Sequence, residues 1–452
     1  MNRLPRPLWQ IALLILVAGS TRAPALGTAR AMSAGPSRPA QVGCDGAPVT
    51  DPNAVVTSSG AYDGVASDDT VAYKGIPYAA AQVGALRWQP PQPPVCTPGV
   101  TEAAQFGNVC PQLQNGRVIG DEDCLTLNIW EPDSVAGAGP LPVMVFIHGG
   151  GNVEGSSAQP AYDGTVLAER GNVVVVTLNY RLGALGFLAL PALDAESPQG
   201  VSGNYGLLDQ IQALRWLNTN IGAFGGDPSR LLIFGESAGG RDVCSLVASP
   251  LAAGLFTRAL IESGSCTENP LSVVESRDAP LADNTGCSSA ADVAACLRGL
   301  TAAQVVQALP VNVDVAAGGD TIFRPTIDGY VLTGSPLAVI AAGQGNHVPM
   351  VIGSNANETG AAISTSIRTA DDYRAAVEQR FGAALAARLL QEYPASAFPT
   401  PRAAMVALTS DVNFICPVRG MARAAAAGQQ QPVFRYVFSQ ALEGPILRLA
   451  GA

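Results

Sequence analysis

Phe224-Gly225-Gly226-Asp227-Pro228-Ser229-Arg230-Leu231-Leu232-Ile233-Phe234-Gly235-Glu236-Ser237-Ala238-Gly239-Gly240 runs from a short apolar segment through a serine flanked by small residues. Leu231 to Phe234, bounded by turn residues, reads as a buried strand. Gly235-Glu236-Ser237-Ala238-Gly239 fits Gly-x-Ser-x-Gly, a sharp strand-to-helix turn that lifts a serine hydroxyl above a parallel sheet. Gly235 and Gly239 leave room for such a turn and for close approach of strand and helix. The amide of Ala238 then falls at a helix N-terminus, where it can face an oxyanion. A five-residue match is weak by itself, because a Gly-rich turn before an ordinary helix has the same letters. The surrounding chain has to carry the argument.

Upstream of the serine, helical spacing at Leu207, Ile211, Leu214, Leu217 and Ile221 predicts a helix over 204–221. Val173 to Leu178 is a β-branched run that reads as a central strand. Val143 to His148 is a further apolar strand, followed at once by Gly149-Gly150-Gly151, and Leu125 to Trp130 is another. Short early strands are expected at 54–58 and 71–78, and the Pro-rich 84–94 is expected to be irregular. Downstream, a helix is expected over 238–249 and strands around Leu260-Ile261, over 348–353 and over 433–438. Residues 289–309 are Ala-rich and helical, and 369–392 holds one or two helices with Thr369 as N-cap. Strands alternating with helices predict an α/β fold with a mainly parallel sheet covered on both faces. No internal repeat and no strong linker breaks 44–452, which reads as one domain.

The N-terminus reads as a secretory signal over 1–31. Arg3 and Arg6 precede the apolar core Ile11 to Val17, which is too short to span a bilayer, and Ala29-Arg30-Ala31 offers a cleavage site. Residues 32–43 read as a flexible mature N-terminus, and the expected address is secreted or periplasmic, with no stable membrane insertion once the signal is removed. A net charge of −10 leaves no basic patch to offset phosphate, so nucleic acid is not an expected partner. Nine cysteines suit an oxidising compartment, and the odd number leaves at least one outside an internal bridge. By proximity Cys110 pairs with Cys124 and Cys287 with Cys296; Cys44 with Cys96 is a third candidate. Cys266 with Cys416 is a guess, and Cys244 reads as a buried free thiol.

Together these blocks resemble the type-B carboxylesterase family, which also holds cholinesterases and the non-catalytic neuroligins. Phe224 to Gly239 is similar to the family's serine signature. Glu122-Asp123-Cys124-Leu125-Thr126-Leu127-Asn128-Ile129-Trp130-Glu131-Pro132 is similar to its second signature. Gly75-Ile76-Pro77-Tyr78, Asn179-Tyr180-Arg181 and Asp209-Gln210 look like further family blocks, in the right order over nearly the whole mature chain. The resemblance implies an α/β-hydrolase fold, the same two local disulfides, no cofactor and no metal, and a small-molecule ester as substrate. It implies that Ser237 is the nucleophile and Glu358, in Gly353-Ser354-Asn355-Ala356-Asn357-Glu358-Thr359-Gly360, the acid. Gly150, Gly151 and Ala238 would supply the oxyanion amides, with His148 holding their loop and Ser263 bonding near the acid. Asn152 departs from the family's usual aromatic beside that loop. The loop from Cys110 to Cys124 is short and contains no aromatic residue, which argues against a cholinesterase.

The missing part is the base. A Ser–acid–His order needs a histidine after Glu358, yet the only two are His148 and His347. Six strand residues at about 3.3 Å each separate His347 from Glu358, so it reads as an exposed loop residue at the far end of the sheet. The family's His-Gly motif would begin about where Leu449-Ala450-Gly451-Ala452 falls. The sequence thus reads as an esterase ending just before its base: a fragment, a truncated product, or a chain that works without it. A binding protein on the same fold, as neuroligins are, is the second expectation. The absent base favours it, and the intact serine turn and Gly loop oppose it.

Overall fold

The computed structural model describes residues 41–440, apart from 52, 68, 134–138, 310 and 312–322. The expected signal segment therefore lies outside the described residues. So do most of the expected flexible N-terminus and the last twelve positions.

A nine-stranded sheet organises the chain. In sequence order its strands are β1 (Val65–Ser67), β2 (Thr70–Pro77), β3 (Thr126–Pro132), β4 (Leu141–Ile147), β5 (Val174–Leu178), β6 (Gly226–Glu236), β7 (Arg258–Glu262), β8 (Met350–Asn355) and β9 (Val433–Phe438). Across the sheet they run β9-β8-β7-β6-β4-β5-β3-β2-β1. β5, β4, β6, β7, β8 and β9 are mutually parallel, whereas β3, β2 and β1 continue antiparallel. The central strands read apolar throughout because helices cover both faces: Val174 to Leu178 is buried at every residue. The sequence placed each of these strands but β1 to within a few residues. It cut β6 short, because Gly226 to Arg230 lacks the apolar pattern and still pairs with β4 at Leu141.

Helix α1 (Tyr205–Asn220) lies against this sheet with Leu207, Ile211, Leu214 and Leu217 buried, and α2 (Ala238–Ala248) follows the serine. Between β8 and β9 the chain makes a helical excursion: α3 (Ala370–Phe381), α4 (Ala383–Glu392), α5 (Pro401–Ser410) and α6 (Cys416–Gly428), with a π turn at Asp411–Ile415 joining the last two. Thr369 caps α3 as expected, its Oγ1 accepting from Asp372 N at 3.1 Å while Asp372 returns a carboxylate to Thr369 N at 2.8 Å. The Ala-rich 289–309 is not one helix. Its helices, Val293–Arg298 and Ala302–Gln307, are separated at Gly299, and Thr301 with Gln304 forms a capping box that restarts the second.

The main core surrounds the sheet, and a second, separate cluster joins Ile363, Ile367, Tyr373, Val377, Met405 and Leu408 inside the helical excursion. β9 is the edge strand, and Phe434, Val437 and Phe438 stay exposed on it among the described residues. No helix of the described residues is long and apolar enough to cross a membrane.

Four disulfides are formed: Cys44–Cys96, Cys110–Cys124, Cys244–Cys266 and Cys287–Cys296. Two expectations are corrected here. Cys244 is not a free thiol, and Cys266 does not pair with Cys416, which is free and exposed on α6. The reason is topological. The loop after β7 turns back over the first turn of α2, so Cys266 comes within 5.8 Å (Cα–Cα) of Cys244.

Candidate active site

Ser237 sits on the crossing from β6 to α2 with φ 58° and ψ −117°, a strained combination for a residue with a side chain. The surroundings enforce it. Its N–H donates to Glu262 O on β7 (2.9 Å), and its carbonyl accepts from Arg241 N (3.0 Å). Gly239 lies so close to β4 that a Cβ there would stand 2.0 Å from Ile147 O, so only glycine admits the helix at this distance. The Gly149–Gly151 loop leaves β4 beside the serine, and a Cβ on Gly149 would lie 3.2 Å from Ser237 Cβ. Gly150 takes φ 105°, which side-chain-bearing residues rarely adopt. Among the described residues, the amides of Gly150, Gly151 and Ala238 donate to no protein acceptor.

Glu358 follows β8, two strands from the serine. Its Oε1 accepts from Ser263 Oγ (2.6 Å) and Asn355 N (2.7 Å), and its Oε2 accepts from Asn355 Nδ2 (3.1 Å). Ser263, at the exit of β7, also has a positive φ, 50°, and its N–H donates to Gly353 O. Ser410, at the end of α5, accepts from the N–H of Glu358 (3.0 Å) and of Thr359 (3.3 Å). The carboxyl rises above its ordinary value, chiefly through burial, with the bonds from Ser263 and Asn355 opposing. Two further acids converge here. Burial, then the charges of Glu358 and Glu262, push Glu236 up to about 8, and Glu262 is hydrogen-bonded to Tyr436 of β9. Sequence reasoning did not single out Glu236, Glu262, Asn355 or Ser410. Glu236 was visible inside the serine motif, and Asn355 three residues before the acid is a turn signal.

His148 is buried and stacked on Tyr180 at 4.5 Å between ring centroids. Its Nδ1 lies 2.9 Å from Gly149 O, which can only accept, so Nδ1 carries the proton. Burial pushes this imidazole down to about 4, so it is neutral at pH 7. His347 is exposed, with Nε2 2.9 Å from Gly343 O. Among the described residues, neither histidine bonds to Ser237 or Glu358. The structure brings together Ser237, Gly150, Gly151, Ala238, Ser263 and Glu358, and no imidazole joins them.

Asn152, placed beside the Gly loop by sequence, turns inward. Tyr180 donates to its Oδ1 (3.1 Å), and its Nδ2 donates to Asp242 Oδ1 on α2 (3.1 Å). Gln210 of α1 donates to Asp242 Oδ2 (2.6 Å). The neighbouring Arg181 forms a buried ion pair with Asp209 (2.7 Å). Tyr78 donates to Asn179 O (2.6 Å), so the blocks picked out in the sequence interlock.

Burial pushes Asp242 up to about 7; the bonds from Gln210 and Asn152 and the charge of Arg241 pull the other way. Its folded value lies above its unfolded one, so its stabilising contribution is complete below the ordinary carboxylate range and is lost as pH rises through 7. Each unit of such a shift is worth about 1.4 kcal/mol. The melting temperature is expected to fall from pH 5 to pH 8, and Asp242→Asn to flatten that slope; a melting curve series against pH checks it.

The mainly parallel sheet, its helices and the serine at a strand exit define an α/β-hydrolase. The chain belongs to the carboxylesterase family, whose model matches residues 51–446, and it is a carboxylic ester hydrolase by family. It is 40% identical over 392 residues to a fumonisin B1 esterase of Sphingopyxis macrogoltabida, covering 85% of this chain and 70% of that one. It is 34% identical over 403 residues to a para-nitrobenzyl esterase of Bacillus subtilis, covering 85% and 78%. A solved PNB esterase structure superposes with a TM-score of 0.72 at 34% identity, covering 87% of this chain and 80% of that one.

Proposed function

We propose that this protein cleaves small-molecule carboxylic esters through an acyl-enzyme on Ser237. Ser237 Oγ attacks the ester carbonyl, the amides of Gly150, Gly151 and Ala238 hold the oxyanion, and the alcohol leaves. Water then releases the acid. Glu358, gripped by Ser263, orients and balances the charge of the base that takes the serine proton. His148 supports the Gly loop and is not that base, because its ring is committed to Tyr180 and Gly149 O. The observation that supports this reading is the strained Ser237 turn held beside a loop whose amides are unspent on the protein.

The base is the missing party among the described residues, and the test supplies one. Added imidazole is expected to raise the hydrolysis of p-nitrophenyl acetate by about 10²-fold in a saturable way, the range of general-base assistance. A rate that rises only linearly, as in buffer without protein, sinks the proposal. The second reading, a non-catalytic binding protein on this fold, is favoured by the histidine-free surroundings of Glu358. It calls for a folded protein that an organophosphonate probe leaves unlabelled with imidazole present. We further propose a secreted or periplasmic address, supported by four disulfides.

A further inference from the structure

Helix α2 carries more than the serine. Five residues after Ser237 it bears Asp242, which is fully buried. The residues that flank the Gly149–Gly151 loop are His148 and Asn152, and both are buried. The Tyr180 hydroxyl lies 2.8 Å from His148 O and 3.1 Å from Asn152 Oδ1, so it ties the two ends of the loop together. Asn152 has φ 58°, and its carbonyl accepts from Gly183 N (2.6 Å). Its side-chain amide donates to Asp242 Oδ1 (3.1 Å), while Gln210 of α1 donates to the other carboxyl oxygen (2.6 Å). Just beyond Asn152, Val153 N and Glu154 N both donate to Gly150 O (3.1 Å each).

The oxyanion donors proposed above come from two elements: Gly150 and Gly151 from the loop, Ala238 from the start of α2. Acting jointly on one oxygen, they need a fixed separation. The bond from Asn152 to Asp242 spans that separation, from the end of the loop to the helix. Resting on the esterase reading above, we infer that Asp242 is a positioning residue for that reaction: acting through Asn152, it sets the Gly150–Gly151 amides against the α2 turn that carries Ser237 and Ala238. As packing alone an aspartate is a poor choice here. A buried carboxyl gives up its hydration, and leucine would fill similar space without that cost. Leucine, however, cannot accept from two amides of separate segments. Held at both oxygens, the carboxyl has a fixed direction, and Asn152 is fixed with it. Asparagine at 242 would keep the link. Its Oδ1 can accept from Asn152, and its amide can donate to Gln210 Oε1, which is buried without a partner, once the Gln210 amide turns over.

One readout needs no turnover. Hydrogen exchange at the amides of Val153, Glu154 and Gly183, which bond to Gly150 O and Asn152 O, is expected to quicken about tenfold in Asp242→Leu and to keep its original rate in Asp242→Asn. The other compares imidazole-assisted hydrolysis of p-nitrophenyl acetate with that of p-nitrophenyl thionoacetate, whose C=S is a poor acceptor for the oxyanion amides. Asp242→Leu is expected to lower kcat for the oxygen ester about 10²-fold with KM little changed, and the thiono ester by less. The oxygen-to-sulfur ratio then falls about tenfold, and Asp242→Asn preserves it. A merely structural aspartate would lower the folded fraction and both esters alike. If the leucine protein does not fold, Asp242→Ala makes the same comparison, since its vacated space faces two amide donors and can admit water. Unchanged exchange or an unchanged ratio in a folded leucine or alanine protein overturns the inference, and so does an asparagine protein as impaired as the leucine one. Absence of imidazole-assisted hydrolysis in the unmodified protein strikes the esterase reading instead, and exchange at positions 153, 154 and 183 then decides whether Asp242 holds the loop.

Discussion

Alanine at position 237 is expected to lower imidazole-assisted ester turnover by ~10³-fold or more and to abolish labelling by an organophosphonate. In the proposed mechanism the hydroxyl is the atom to which the acyl group is transferred, and the α2 turn that presents it has no other nucleophile at that point. The amides of Gly150, Gly151 and Ala238 remain in the variant and can still polarise a carbonyl for attack by water, which sets the residual rate. Mass spectrometry of the labelled protein, alongside the rate, separates loss of the covalent step from loss of binding. Turnover within tenfold of the unmodified protein would remove Ser237 from the mechanism.

Gly239→Ala is expected to have the largest effect of any single methyl group. The new carbon would stand 2.0 Å from Ile147 O and 2.9 Å from His148 O, both main-chain atoms at the exit of β4. Main chain in the middle of a sheet yields little, so α2 must move. Overpacking of this kind costs ~3 kcal/mol. The same movement separates Ser237 from the loop at Gly149–Gly151, and misplacement by about 1 Å costs ~10²-fold in rate. Urea unfolding and the imidazole-assisted rate should both fall. Unchanged stability would show that the strand and helix are not in contact as described.

How much of this was legible in the letters depends on the range of the interaction. β4, β5, β7, β8 and α1 announce themselves because each is a local pattern of apolar residues. The serine turn was readable because its geometry demands particular small residues in a row. The Cys244–Cys266 bond was not, since it depends on how a loop folds back across a helix, and residue spacing says nothing about that. The roles of Asn152, Asp242 and Gln210 were hidden for the same reason: they come from three separate segments and meet only when α1, α2 and the Gly loop are packed. The helical run over 289–309 was read too long because alanine content outweighed the capping box at Thr301.

The proposed acid has one anchor in a different part of the molecule from the proposed nucleophile. Ser237 belongs to the central sheet and its large core, whereas the main chain at Glu358 hangs from Ser410, at the tip of a helical annex with an interior of its own. Two separately packed clusters therefore meet at the proposed reaction centre. Partial opening of the annex would remove the Ser410 bonds that set the main chain at Glu358, while Ser263 and Asn355 still hold its carboxylate. Any turnover that depends on the setting of that segment is then expected to fall on mild heating before the sheet melts.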